Sequence, residues 1–88
     1  MTCSLEVQVP NRHGMHARPS AEFVKLAGGF AASVRVTRNE LTVNGKSIMG
    51  VLMLAAERGS SLTITAEGDD APEAVEALAR LVRGGFDE

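Results

Sequence analysis

Tryptophan and tyrosine are absent from these 88 residues, and phenylalanine occurs three times. Little large aromatic surface is available for stacking nucleobases or walling a cofactor pocket. A basic excess is also missing: nine Lys and Arg stand against eleven Asp and Glu, a formal charge of −2. Nucleic-acid binders carry a basic footprint, so that class is excluded. Cysteine occurs once, as Cys3, which rules out an internal disulfide and fits a small residue in an N-terminal strand of a cytoplasmic protein. No apolar run approaches the length of a membrane span, and Met1 to Val9 lacks the basic start and apolar core of a signal peptide. The expectation is one cytoplasmic, monomeric domain over residues 1–88, with no membrane insertion. Its 44% hydrophobic content suffices for a small core.

Within that frame the pattern is regular. Leu5, Val7 and Val9 alternate with Ser4, Glu6 and Gln8, the period of a half-buried strand that ends at Pro10-Asn11. A helix is predicted from Ala17 to Ala27, with Ser20, Phe23, Val24 and Ala27 on one face, stopped by Gly28-Gly29. Ser33–Thr37 and Leu41–Asn44 read as an antiparallel hairpin with Val34, Val36, Leu41 and Val43 inward. Asn44-Gly45 turns the chain, and Ser47 caps a short apolar helix from Ile48 to about Ala55. Leu62, Ile64 and Ala66 mark a fourth strand. Asp70-Ala71-Pro72-Glu73 resembles a capping box opening a last helix, whose stripe is Ala74, Val75, Leu78, Leu81 and Val82, with Gly84-Gly85 at its end. The order βαββαβα predicts an α+β protein, an antiparallel sheet with helices on one face. Periodicity leaves the strand order open between a ferredoxin-like arrangement and other two-layer sandwiches.

The chemistry concentrates at Gly14-Met15-His16-Ala17-Arg18-Pro19. This run places an imidazole at a helix mouth, an arginine two residues on, and a proline in the first turn, where its missing N–H is least needed. Unpartnered N–H groups and the positive end of the helix dipole make such an end a phosphate seat. The dipole also favours the neutral ring, whose lone pair is what a nucleophile needs. Once phosphorylated, the ring would carry its charge over the N–H groups of Ala17 and Arg18 and beside the Arg18 guanidinium. Local spacing alone does not separate this reading from a solvated loop histidine. His13 and His16 lack the further ligands a metal site requires, so no metal is expected and His13 reads as an exposed loop residue.

Gly45-Lys46-Ser47 matches the end of a nucleotide-binding loop, but Glu40 occupies the position of the motif's other glycine, and the reading fails. Ser47 remains a helix cap whose hydroxyl is open to phosphorylation, where added charge would repel an acidic partner. Ile48, Met49, Leu52, Met53 and Leu54 exceed what one short helix buries. Some of them are expected on the surface as a transient docking patch, the alternative being that all are core.

With these two motifs in register, the whole chain resembles the histidine-containing phosphocarrier proteins (HPr) of the bacterial phosphoenolpyruvate-dependent phosphotransferase system. Gly14–Pro19 is similar to that family's active-site signature, and Gly45-Lys46-Ser47-Ile48-Met49-Gly50 to its regulatory-serine signature. The resemblance implies an open-faced β-sandwich with sheet order 1-4-2-3 and three helices on one face. It implies a stoichiometric carrier that is not itself an enzyme and needs no cofactor. His16 would take phosphate on Nδ1 from enzyme I and pass it to an EIIA-type domain, with Arg18 and the Ala17 and Arg18 amides holding the phosphoryl group. The implied docking surface is Met15, Ala17, Ser20, Ala21, Val24, Ile48, Met49 and Leu52, and Ser47 would be the target of a serine kinase/phosphorylase. Met15, the run Leu52-Met53-Leu54 and the tail Gly84–Glu88 are similar to a nitrogen-related branch, whereas Lys46–Gly50 is similar to the kinase-regulated sugar branch. Sugar uptake and a mainly regulatory role through protein–protein interaction both stay open.

Overall fold

Seven regular elements and a 3-10 turn follow one another in the computed structural model, which describes residues 1–88. They are β1 (Thr2–Gln8), α1 (Ala17–Ala27), β2 (Ser33–Arg38), β3 (Leu41–Asn44), α2 (Ile48–Met53), β4 (Ser61–Glu67), α3 (Ala71–Arg83) and the turn Gly85–Asp87. The strands form one antiparallel sheet in the order β1-β4-β2-β3. Register follows from the period-two pattern, because a slip of one residue would turn every apolar side chain to water. Leu5 pairs with Ile64, Ile64 with Val36, and Val36 with Val43, so one apolar row crosses all four strands. Phe23 and Ala27 of α1 and Ala74, Val75, Leu78 and Val82 of α3 join the core above it. The other sheet face is bare and hydroxyl-rich, with Ser4 bonded to Thr65 and Thr37 to Thr42, each at 2.9 Å. No helix is long and apolar enough to cross a membrane.

Four local expectations need correction. Leu41 is 42% exposed, because it lies at the end of an edge strand where no helix covers it. Gly28 does not stop α1 by adopting a left-handed conformation; its φ is −63°. Instead Gly29 N–H donates to Leu26 O and Phe30 N–H to Ala27 O, tightening the last turn. Helix α2 ends earlier than predicted, at Met53. Ala55 takes φ +49° there, and the Arg38 guanidinium donates to the Leu54 and Ala55 carbonyls at 3.0 and 3.2 Å. Asp70 stands at the N-cap of α3 but makes no side-chain cap bond. Its carboxylate accepts the N–H groups of Ala31 and Ala32, both at 2.8 Å, tying the α1–β2 loop to α3. Those bonds, Ala31 foremost, hold its pKa below the usual carboxylate value.

Candidate functional site

The loop before α1 is held from three sides. Gly14 has φ +65°, and a Cβ there would lie 2.3 Å from the Ala56 carbonyl oxygen, so only glycine fits. That carbonyl accepts the Met15 N–H at 2.8 Å. Asn11 donates to Gly14 O at 2.7 Å, and the Ser20 hydroxyl to Met15 O at 3.0 Å. His16 follows as the N-cap of α1 in extended conformation, with no side-chain cap bond to occupy its ring. The first bond of the helix runs from Ser20 N–H to His16 O, leaving the Ala17 and Arg18 amides ahead of it.

The ring of His16 has a partner the sequence did not disclose. After α3 the chain turns through Gly85 at φ +71°, Phe86 at +56° and Asp87 at +61°, burying the Phe86 side chain. This hook carries Glu88 to the mouth of α1. Glu88 Oε2 lies 2.6 Å from His16 Nε2 and 2.9 Å from Arg18 Nη2, and Oε1 accepts from Asn11 Nδ2 at 2.8 Å. The Asn11 amide first, then His16 and Arg18, lower the Glu88 pKa to about 2 against the opposing effect of desolvation. The carboxylate is therefore ionised at neutral pH and accepts only, so Nε2 is the ring nitrogen that bears hydrogen. In the neutral ring the lone pair is then on Nδ1. Arg18 is fully engaged as well: Nη1 donates to Glu22 at 2.7 Å and Nη2 to Phe86 O at 2.8 Å.

Of the other predicted residues, Ser47 caps α2, its Oγ accepting the Gly50 N–H at 3.1 Å, and stays half-buried. Helix α1 packs against α2. Ala17, Ala21, Ile48 and Met49 are exposed and Val24 and Leu52 half-buried, while Met53 at 65% exposure extends the apolar surface. Met15 and Ser20 do not belong to that surface. Both are buried, Met15 by its loop's tie to Ala56 and Ser20 by facing inward with Phe23. Within α2, Val51 goes to the core, as does Leu54 just beyond it, which leaves Ile48, Met49 and Met53 outward. His13 is exposed, and no group of three or more His, Cys, Asp or Glu side chains gathers as a metal site would need. Asn11 and Glu88 were missed. The available hint was an acidic pair just past a Gly-Gly break, opposite a histidine and arginine in want of an anion.

Residues 3–84 match the family model described as the PTS HPr component phosphorylation site. The chain belongs to the HPr family. The phosphocarrier protein HPr of Pseudomonas aeruginosa is 48% identical over 86 residues, covering 97% of this chain and 96% of the relative. The HPr-like protein Crh of Halalkalibacterium halodurans is 40% identical over 77 residues, covering 88% and 92% respectively. Among solved structures, HPr-C-His from Thermoanaerobacter tengcongensis superposes with a TM-score of 0.94 at 38% identity, covering 98% of this chain and 97% of that one. The expected family, fold and strand order all hold. The chain is thus an HPr-type phosphocarrier of the phosphotransferase system, and the family match ends four residues short of Glu88.

Proposed function

We propose that His16 is the residue that carries phosphate. The Nδ1 lone pair attacks phosphorus on phosphorylated enzyme I; the new N–P bond forms as the donor's bond to phosphorus breaks, its electron pair leaving with the donor. Transfer to an EIIA-type domain is the same displacement in reverse, with the acceptor as nucleophile. The observation that supports this reading is the Glu88 contact at 2.6 Å: a carboxylate that only accepts favours hydrogen on Nε2 and so keeps the Nδ1 lone pair available as the nucleophile. The Ala17 and Arg18 amides and the Arg18 guanidinium receive the new charge. The Arg18 contact with Glu88 loosens as it does so, because one guanidinium then serves two anions. The chain acts as a stoichiometric carrier, not as a catalyst turning over a small substrate.

Docking to enzyme I and EIIA falls to Ala17, Ala21, Val24, Ile48, Met49 and Leu52, extended by Met53. Incubation with enzyme I and labelled phosphoenolpyruvate should place acid-labile, base-stable label on the wild type and none on His16→Ala. Equal labelling of the two would overturn the assignment.

A second reading rests on Ser47, whose hydroxyl caps α2 beside the exposed Ile48 and Met49. Phosphate added there by a serine kinase/phosphorylase would suit the N-terminus of its own helix and repel an acidic partner. A mainly regulatory role is supported by likeness to Crh, named the Bacillus subtilis catabolite repression HPr, which is 40% identical and covers 91% of this chain. Acid-stable phosphate on Ser47 after incubation with ATP and such a kinase would support it, and its absence would remove the switch.

A further inference from the structure

A groove of about 510 Å³ opens on the side of His16 away from Arg18 and Glu88, neither of which lines it. Arg12, His13 and Arg58 line it together with the His16 ring, and Glu57 is its one acid. The two histidine rings stand edge to face, with centroids 5.9 Å apart. Met15, Leu52, Ala55 and Ala56 supply its apolar lining. Arg12 and Arg58 are exposed, and neither takes part in any of the four ion pairs. Arg18, by contrast, is committed to Glu22, Phe86 O and Glu88. Two unengaged guanidinium groups thus share one concavity in a chain whose net charge is −2. No acceptor within the protein engages either guanidinium, so both are available to an anion that enters the groove.

We infer that this groove binds phosphate monoesters that carry a small uncharged carbon body. Guanidinium forks match phosphate oxygens in pairs, and the His13 ring adds a further N–H donor. The volume lies within the range of small-molecule sites, well beyond what a bare phosphate fills. The ester's carbon body covers Leu52, Ala55 and Ala56, and its phosphate meets the arginines. The groove's arginines bind an ester's phosphate in the unphosphorylated chain, whichever residue carries the transferred phosphate.

The test is a heteronuclear NMR titration of the intact chain at low salt, with phenyl phosphate and inorganic phosphate as separate probes. Phenyl phosphate should shift the amides of Arg12, His13, Ala55, Ala56 and Arg58 saturably, and inorganic phosphate should bind at least about tenfold more weakly. Arg12→Ala and Arg58→Ala should each weaken phenyl phosphate about tenfold, the scale of one charge-assisted contact, without disturbing the rest of the spectrum. Glu57→Gln should tighten it. Shifts confined to Ala17 and Arg18, equal affinity for the two probes, or undiminished affinity in the Arg12→Ala/Arg58→Ala double variant would each overturn the proposal.

Discussion

A single carboxylate oxygen, Glu88 Oε2, bridges His16 Nε2 at 2.6 Å and Arg18 Nη2 at 2.9 Å. The mouth of α1 is faced by an anion from the far end of the sequence. An ionised carboxylate only accepts, so the contact favours hydrogen on Nε2, and it holds the Arg18 guanidinium beside the ring.

If His16 carries the phosphate as proposed, Glu88 acts on phosphoryl transfer through it. Glu88→Ala should slow phosphorylation of His16 by enzyme I about tenfold, in line with loss of a partner that orients a reactive imidazole. Glu88→Gln should keep part of the rate, because its amide oxygen still accepts from Nε2. Rapid-quench measurement of label uptake checks both. An unchanged rate in Glu88→Ala would mean that the contact is incidental.

Docking of this tail depends on pH in a direction set by Glu88. Its pKa falls from 4.5 to about 2 in the folded protein, so the charged form is what the fold favours. The stabilisation is complete above the unfolded value of 4.5 and is lost as pH falls through about 2. The side-chain carboxyl carbon of Glu88, followed by NMR, should titrate near the lower value. Titration near 4.5 would show the tail undocked.

Gly14→Ala should be among the more damaging substitutions outside the core. It forces φ +65° on a residue with a Cβ and drives that atom to 2.3 Å from the Ala56 oxygen. A loss of about 2 kcal/mol or more is expected in denaturant unfolding, with lowered phosphorylation because Met15 and His16 shift with the loop. A cost near zero would show that the loop adapts freely.

At Ser47 the structural and regulatory roles separate by substitution. Ser47→Ala loses the cap on Gly50 N–H and should cost about 1 kcal/mol of stability. Ser47→Asp keeps a good capping group, so its stability should stay near wild type while its added charge weakens binding to an acidic partner. Calorimetry of the two variants beside a binding titration distinguishes the effects.

What was legible in the chain was what depends on near neighbours in sequence. The alternation at Leu5, Val36 and Ile64 and the stripe at Ala74, Val75, Leu78 and Val82 located strands, helix and core. The pairing of β1 with β4 came from the family resemblance, because strand order is a long-range property that no period encodes. Asp70 shows the same limit in the other direction. A local capping motif was present, yet the unpartnered amides of Ala31 and Ala32 claimed the carboxylate.

The site divides similarly. His16, Arg18 and Ser47 stood out because their chemistry and helix-end positions are written locally. For Ser20, helical periodicity pointed inward while the resemblance implied a surface role, and the fold sides with periodicity. Glu88 was hidden. Its position depends on three consecutive positive-φ residues, of which only Gly85 announces a turn.

The most direct test of the central claim is the chemical identity of the phosphorylated nitrogen. Phosphorylated protein with labelled histidine, read by phosphorus–nitrogen coupling in NMR, should show phosphate on Nδ1 of His16 while Nε2 retains its hydrogen. Phosphate on Nε2, or on His13, would contradict an account in which Glu88 holds one ring nitrogen so that the other can react.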